Sequence, residues 1–294
     1  MQESVLSNVV LPLAIIIIMV TLGMTLTLAD FKRVVTQPRQ VGIGLLCQLI
    51  LLPLLGFAVA GAFSLAPVYA ISIILLAASP GGATSNLIVH AADGDRALSV
   101  TLTAISNMLA WLTIPFLLGI AYPLYGSGTL NMTFPVAETM IQVAALTLVP
   151  VLVGMGIRHW KTEFAENSKR FTRIFATFFL FLVIGALVVQ NWDTIVRDGP
   201  RFAPAFIVLN FAALAIGFFV ARFAGINRVQ STTISIEMGL QNSTVAITVA
   251  LTILGSNEMA VIPGLYAIWM LITGFGFAFW LTRSSARTIE KAIA

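Results

Sequence analysis

Residues 74–95 read "ILLAASPGGATSNLIVHAADGD", with apolar flanks like those of a membrane helix around the residues of a loop. Pro80 lacks a backbone N–H and clashes with the preceding turn, and Gly81 and Gly82 add backbone freedom, so a helix should break near 79–82. A break in hydrocarbon leaves N–H and C=O groups unsatisfied. It survives only where protein buries it or where it lines a polar cavity. A packing kink would need no more than the Pro-Gly pair. Thr84, Ser85 and Asn86 follow directly and bring three hydrogen-bonding side chains to the same place.

Composition fixes the solvent. Of 294 residues 59% are hydrophobic and 10% charged, against about 25% charged in soluble domains. Apolar runs of roughly 20 residues, the length that spans a bilayer core, recur along the chain. The reading is an all-α polytopic membrane protein with about nine transmembrane helices, near 5–29, 41–63, 67–92, 97–121, 134–157, 171–190, 203–221, 229–254 and 260–282. The segments 158–170 and 191–202 read as the longest linkers. The start, "MQESVLSNVVLPLA", has an acid and no basic region, unlike a cleaved signal peptide. Cys47 stands alone, which excludes an intramolecular disulfide.

Lysine and arginine set the orientation. With the N-terminus outside and the C-terminus cytoplasmic, Arg197 and Arg201 are the two outer cations, and the other 14 of the 16 fall inside. The expected location is the plasma membrane, the inner membrane of a bacterium. The basic balance then reflects topology and anionic lipid; nothing in it points to nucleic acid.

The eighth span, "STTISIEMGLQNSTVAITVALTIL" (231–254), repeats the anomaly of the third. Glu237, Gln241 and Asn242 lie well inside it, around Gly239. Of 12 acidic residues, Glu237 alone sits deep in a span. A carboxylate at the bilayer centre costs roughly 2.5–3.5 kcal/mol on insertion scales, and such residues mark ion or substrate pathways. Spans three and eight are an odd number apart and therefore cross in opposite directions. This is the layout of inverted-topology repeats with discontinuous helices at matching positions. One transporter domain, 1–294, would divide into repeat 1 (about 5–121, spans 1–4) and repeat 2 (about 134–282, spans 5–9). Span 5 has no mate in the first half.

At these segments the chain resembles the bile acid:sodium symporter family. The likeness rests on "SPGGATSN" (79–86), "GDRALSVTLTAIS" (94–106), "IEMGLQNS" (236–243), "GLLCQLILLP" (44–53) and "VIPGLYAIWM" (261–270), and it covers essentially the whole chain. The resemblance implies a missing first helix as the mate of span 5. It also implies a panel of spans 1, 5 and 6 beside a core in which spans 3 and 8 cross, and a sodium-coupled symporter working by alternating access. It implies no enzymatic activity and no cofactor beyond two Na+ as coupling ions.

Sodium needs several hard oxygens to replace its water shell. By resemblance Ser85, Asn86, Ser99, Thr103 and Glu237 form one sodium site. Gln48, Gln241 and carbonyls near Glu237, Met238 and Leu240 form a second. The helix-break residues are Pro80, Gly81, Gly82 and Gly239. A half-helix N-terminus offers free N–H groups to an anion, so Gly82, Ala83, Thr84, Asn242 and Ser243 are the candidate substrate residues. The expected cargo is a small organic anion, a carboxylate such as a keto or hydroxy acid, carried by a monomer in the lipid bilayer. Family members usually place threonine directly after the glycine pair, where this chain has Ala83 and then Thr84.

Alternatives from other classes are a proton-coupled carrier, a cation/proton antiporter of similar layout and, more weakly, a metalloid carrier. The neutral oxygens around Glu237 disfavour the first two. The metalloid carrier should place a cysteine at the break, whereas Cys47 lies on span two. An intramembrane enzyme would need a nucleophile–base pair or metal cluster, and no histidine or aspartate lies deep in any span.

Overall fold

A computed structural model of the chain describes residues 11–126 and 134–293. Residues 5–10 of the expected first span, and the 127–133 connection, lie outside the described residues. The described chain is helical throughout: α1 Leu11–Thr25, α2 Leu28–Thr36, α3 Pro38–Ala62, α4 Pro67–Ala78, α5 Ala83–Ala91 and α6 Arg96–Tyr125 in the first half. The second half has α7 Val136–Trp160, α8 Thr162–Gln190, α9 Trp192–Phe223, α10 Arg228–Gly239, α11 Ser243–Ile253 and α12 Asn257–Ile293. Among the described residues five helices (α3, α6, α7, α9 and the Asn257–Leu281 part of α12) are long and apolar enough to cross a membrane. The pair Pro12–Thr25 and Leu28–Thr36, bent by 62°, makes a sixth if it is one span. Pro67–Ala78, Thr177–Gln190 and Ser243–Ile253 are shorter apolar helices.

The helix ends follow from local chemistry. Pro38 and Pro67 stand in the first turn of α3 and α4, where the missing N–H costs nothing. Asp95 starts α6 by accepting from the Leu98 N–H at 3.0 Å, and Asn227 starts α10 by accepting from Gln230 N at 2.9 Å. The two long linkers differ from the expectation. The segment 158–170 is helical on both sides of Lys161, and 191–202 is the first part of α9 from Trp192 onward. Charged side chains suit an exposed helical turn as well as they suit a coil. Pro200 and Pro204 are both accommodated within α9.

Two sets of contacts organise the helices. α1 packs chiefly against α7 and α8. Gly23 of α1 and Gly154 of α7 meet so closely that a β-carbon on Gly23 would overlap the Val151 carbonyl, and one on Gly154 the Val20 carbonyl. Small residues allow such backbone approach between apolar helices. Arg158 ties the same three helices at one end, donating from Nη1 to the Met24 carbonyl at 2.8 Å and pairing with Glu166 at 3.0 Å. In the other set α3 packs on α4, α4 on α6 and α12, α9 on α10, and α11 on α12. α10 and residues 71–82 are buried from end to end or nearly so, which makes them the centre of the molecule.

The glycine contact is testable. Gly154→Leu should lower stability by about 1–3 kcal/mol through overpacking and reduce the melting temperature of the purified protein. Gly156→Leu, two residues on and with nothing within 4 Å of its would-be β-carbon, should melt close to the wild type.

Candidate functional site

α4 and α5 are separated by residues 79–82. α4 ends at Ala78, Ser79 is extended, and α5 restarts at Ala83 with Gly82 as its extended N-cap residue. α10 runs through Gly239, and the second interruption is Leu240–Asn242. Gly239 is therefore the last helical residue rather than the break itself. A β-carbon there would sit 2.5 Å from a Leu214 methyl, so its role is to admit α9. The two interruptions lie against each other. Gly81 and Gln241 form an isolated antiparallel bridge, and Asn242 N donates to the Pro80 carbonyl at 2.8 Å. Each break thus supplies backbone partners to the other.

Glu237 faces this junction and is 3% exposed. Ser85 Oγ donates to its Oε1 at 2.7 Å, Ser99 Oγ to Oε1 at 2.5 Å, and Thr103 Oγ1 to Oε2 at 2.9 Å. Ser99 Oγ also lies 2.5 Å from Asn86 Oδ1. One hydroxyl carries one proton, so it can bridge only one of those two oxygens at a time. All five residues of the first expected set converge in one cluster of oxygens from α5, α6 and α10. Ser99 and Thr103 reach it together because they are one turn apart on α6.

The second set meets alongside. Gln48 lies in a π-turn of α3, Cys47–Leu51, a local widening that is frequent at functional sites. Its Nε2 donates to Gln241 Oε1 at 2.7 Å, while its buried Oε1 has no partner. Gln241 Nε2 donates to the Met238 carbonyl at 2.7 Å and the Glu237 carbonyl at 3.3 Å. Leu240 occupies the buried extended link between them. Side-chain amides and helix-end carbonyls therefore form a second oxygen-rich group that shares Glu237 with the first.

The five substrate candidates are brought together only in part. Gly82 faces Asn242, with its would-be β-carbon 3.5 Å from Asn242 Cα. Asn242 Oδ1 caps α11 by accepting from Val245 N at 3.3 Å, and the buried Ser243 Oγ has no partner. Ala83 is exposed and Thr84 half-buried on the first turn of α5.

The sequence reading missed the residues that hold the junction from outside. Asn107 Nδ2 donates to the carbonyls of Gly81 and Thr103, both at 2.8 Å, and Ser106 Oγ accepts from Gly81 N at 3.2 Å. Across the junction, Asn210 Nδ2 and the Tyr266 hydroxyl both donate to the Gly239 carbonyl, at 2.9 and 2.5 Å. Asn107 and Asn210 were each a single amide in an apolar run. That signal was present, but without a partner in sequence it had no meaning.

The chain belongs to the sodium bile acid symporter family, whose model matches residues 12–198. It is 29% identical over 274 residues to a probable chloroplastic sodium/metabolite cotransporter of Arabidopsis thaliana, covering 93% of this chain and 67% of the relative. It is 28% identical to the ileal sodium/bile acid cotransporter of Cricetulus griseus, covering 91% of this chain and 77% of that one. It is also 28% identical to a sodium-dependent transporter of Bacillus subtilis, covering 90% and 80%. The chain thus spans about two thirds of the plant relative's length. The family is one of sodium-dependent membrane transporters and not of enzymes, with Na+ as its coupling ion.

Neighbouring glycines at the break should respond differently. A β-carbon on Gly81 would lie 2.6 Å from Glu237 Oε2 and 3.2 Å from Thr103 Oγ1. Gly81→Ala should therefore displace the carboxylate and cost about 1–3 kcal/mol. Gly82, with φ −120° and ordinary contacts, should accept alanine with no loss of melting temperature.

Proposed function

We propose that this protein is a sodium-driven symporter that carries a small organic anion across the membrane by alternating access. The observation that carries the reading is Glu237: a buried carboxylate whose partners are the hydroxyls of Ser85, Ser99 and Thr103, at the junction of two interrupted helices. A buried carboxylate needs a compensating charge or protonation. Sodium suits this surrounding because hydroxyls can rotate their lone pairs toward a hard cation while the carboxylate supplies the charge.

In this reading Ser85, Asn86, Ser99, Thr103 and Glu237 bind one sodium ion. Gln48, Gln241 and the carbonyls around Glu237, Met238 and Leu240 bind the other. The unpartnered Gln48 Oε1 supports the second assignment, since a buried acceptor left alone is costly. The anion meets the N-terminal turn of α5 near Gly82, Ala83 and Thr84, opposite Asn242 and Ser243. Free N–H groups and the positive end of the helix dipole favour a carboxylate there. Nine crossings follow if α4–α5 and α10–α11 each make one interrupted span. The panel is then α1, α7 and α8, which pack on one another, and the remaining helices form the core. The protein works as a monomer in a bacterial inner membrane, with the N-terminus outside.

Uptake of radiolabelled keto and hydroxy acids into proteoliposomes tests this, with sodium, potassium or proton gradients imposed in parallel. Uptake should need inward sodium, and a proton gradient alone should not replace it. Glu237→Ala should abolish the sodium stimulation with the protein still in the membrane. Glu237→Gln keeps the shape without the charge and should raise the sodium requirement at least tenfold. Wild-type sodium dependence in either variant would remove Glu237 from the site.

Two sodium ions with one monovalent anion move one net positive charge inward. A potential of 100 mV, inside negative, then contributes about 2.3 kcal/mol. A potassium diffusion potential set with valinomycin should accelerate initial uptake. A rate indifferent to potential would exclude the 2:1 ratio.

A further inference from the structure

An α-helix that ends inside a protein leaves its last four carbonyls without intrahelical donors. In α10 these belong to Ile236, Glu237, Met238 and Gly239. Leu240 N serves the first at 2.9 Å, and Gln241 Nε2 serves the next two. Gly239 O is served by neither. Asn210 Nδ2 reaches it from α9 at 2.9 Å and the Tyr266 hydroxyl from α12 at 2.5 Å, while Asn210 Nδ2 lies 3.2 Å from the Tyr266 oxygen. The phenol gives its only hydrogen to Gly239 O, and the amide donates to the same carbonyl with the phenol oxygen beside it.

Both side chains are fully buried, which makes their polar atoms informative. A phenylalanine would fill the Tyr266 site and keep its edge contact with Phe206, whose ring centroid is 6.3 Å away, without burying a hydroxyl. Asn210 leaves its Oδ1 buried and without a partner, at a cost that a leucine would avoid. Packing explains neither polar group. The shared carbonyl explains both.

We infer that Asn210 and Tyr266 are positioning residues for the second sodium set, holding the Gly239 peptide plane from α9 and α12. The next peptide begins the extended link, so a turn of Gly239 O would swing Leu240 and carry Gln241 away from Gln48 and Met238. The inference rests on the sodium coupling proposed above. It adds two residues that touch no cation, Asn210 outside the motif segments and Tyr266 within 261–270.

Sodium alone is a sufficient probe. The melting temperature of the purified chain, followed over a sodium titration with potassium holding ionic strength constant, gives a half-saturating sodium concentration. Tyr266→Phe and Asn210→Ala should each raise it about three- to tenfold, the worth of one net hydrogen bond. Ser72→Ala is the control. It deletes an equally buried bond onto α12, from Ser72 Oγ to the Met259 carbonyl at 2.9 Å, outside both cation sets. It should lower the melting temperature and leave half-saturation within twofold of the wild type. If Tyr266→Phe and Asn210→Ala keep wild-type half-saturation, or Ser72→Ala shifts it as far as they do, the inference is overturned. A wild-type chain that responds equally to sodium and potassium overturns the coupling itself, and the inference with it. The variants separate these outcomes only once the wild type has responded.

Discussion

Two short pieces of unwound backbone depend on each other. Residues 79–82 and 240–242 are the places where the helical ladder stops inside the protein, and each would carry unpaired N–H and C=O groups at a cost of several kcal/mol apiece. The bond from Asn242 N to Pro80 O, which belongs to the Gly81–Gln241 bridge, removes part of that cost for both. Pro80 has no N–H to leave unpaired, and its carbonyl is used. Glycine at 81 lets the strands approach where a side chain would strike Glu237. The rest falls to side chains around the junction, Ser106 and Asn107 on Gly81 and Asn210 and Tyr266 on the Gly239 carbonyl.

Glu237 inherits its surroundings from this pairing. Bringing α5 and α6 against α10 directs Ser85, Ser99 and Thr103 at one carboxylate. The partners these bonds give Glu237 are neutral. A fixed lysine or arginine would have balanced the charge permanently, and a permanent pair would be a structural bridge. Rotatable hydroxyls solvate a carboxylate and can equally face a cation. That is the property a coupling site needs, because its charge must be balanced differently at successive steps of a transport cycle.

Much of this was legible in the chain. The helical class followed from apolar runs, and the break at 79–82 from Pro80 and the glycine pair. Glu237 stood out because an acid deep in an apolar span is expensive. All five members of the first oxygen set meet, since i, i+4 spacing on α6 carries Ser99 and Thr103 together. What stayed hidden was long-range. Asn107, Asn210 and Tyr266 act by reaching backbone carbonyls on other helices, and local sequence does not say which carbonyl an amide will find. Gly239 was misread for a related reason. In sequence it is a glycine beside a polar run, but its function is to give Leu214 room. That the linkers 158–170 and 191–202 continue as helix was not legible either, because charge marks exposure and does not choose between helix and coil.

The distribution of polar bonding also bears on how such a protein could move. Within the α1, α7 and α8 group, Gly23 and Gly154 press backbone on backbone, and Arg158 binds a helix-end carbonyl. At the junction the contacts are hydrogen bonds between breaks. Where α8 meets α9 and α12, the facing residues are Ile184, Leu187 and Val188 against Ile195, Val261 and Leu265, all of them aliphatic. These side chains have no hydrogen bonds to break, and dispersion contacts are non-directional and can be remade after a shift of a few ångströms. Shear of packed helices costs least along such a surface. In the mechanism proposed above, ion ligands stay in register while being exposed alternately to two sides, which calls for directional bonds inside each body and apolar contact between them. Amides, hydroxyls and carbonyls gather at the junction of the two breaks, and branched aliphatic residues line the contact of α8 with α9 and α12.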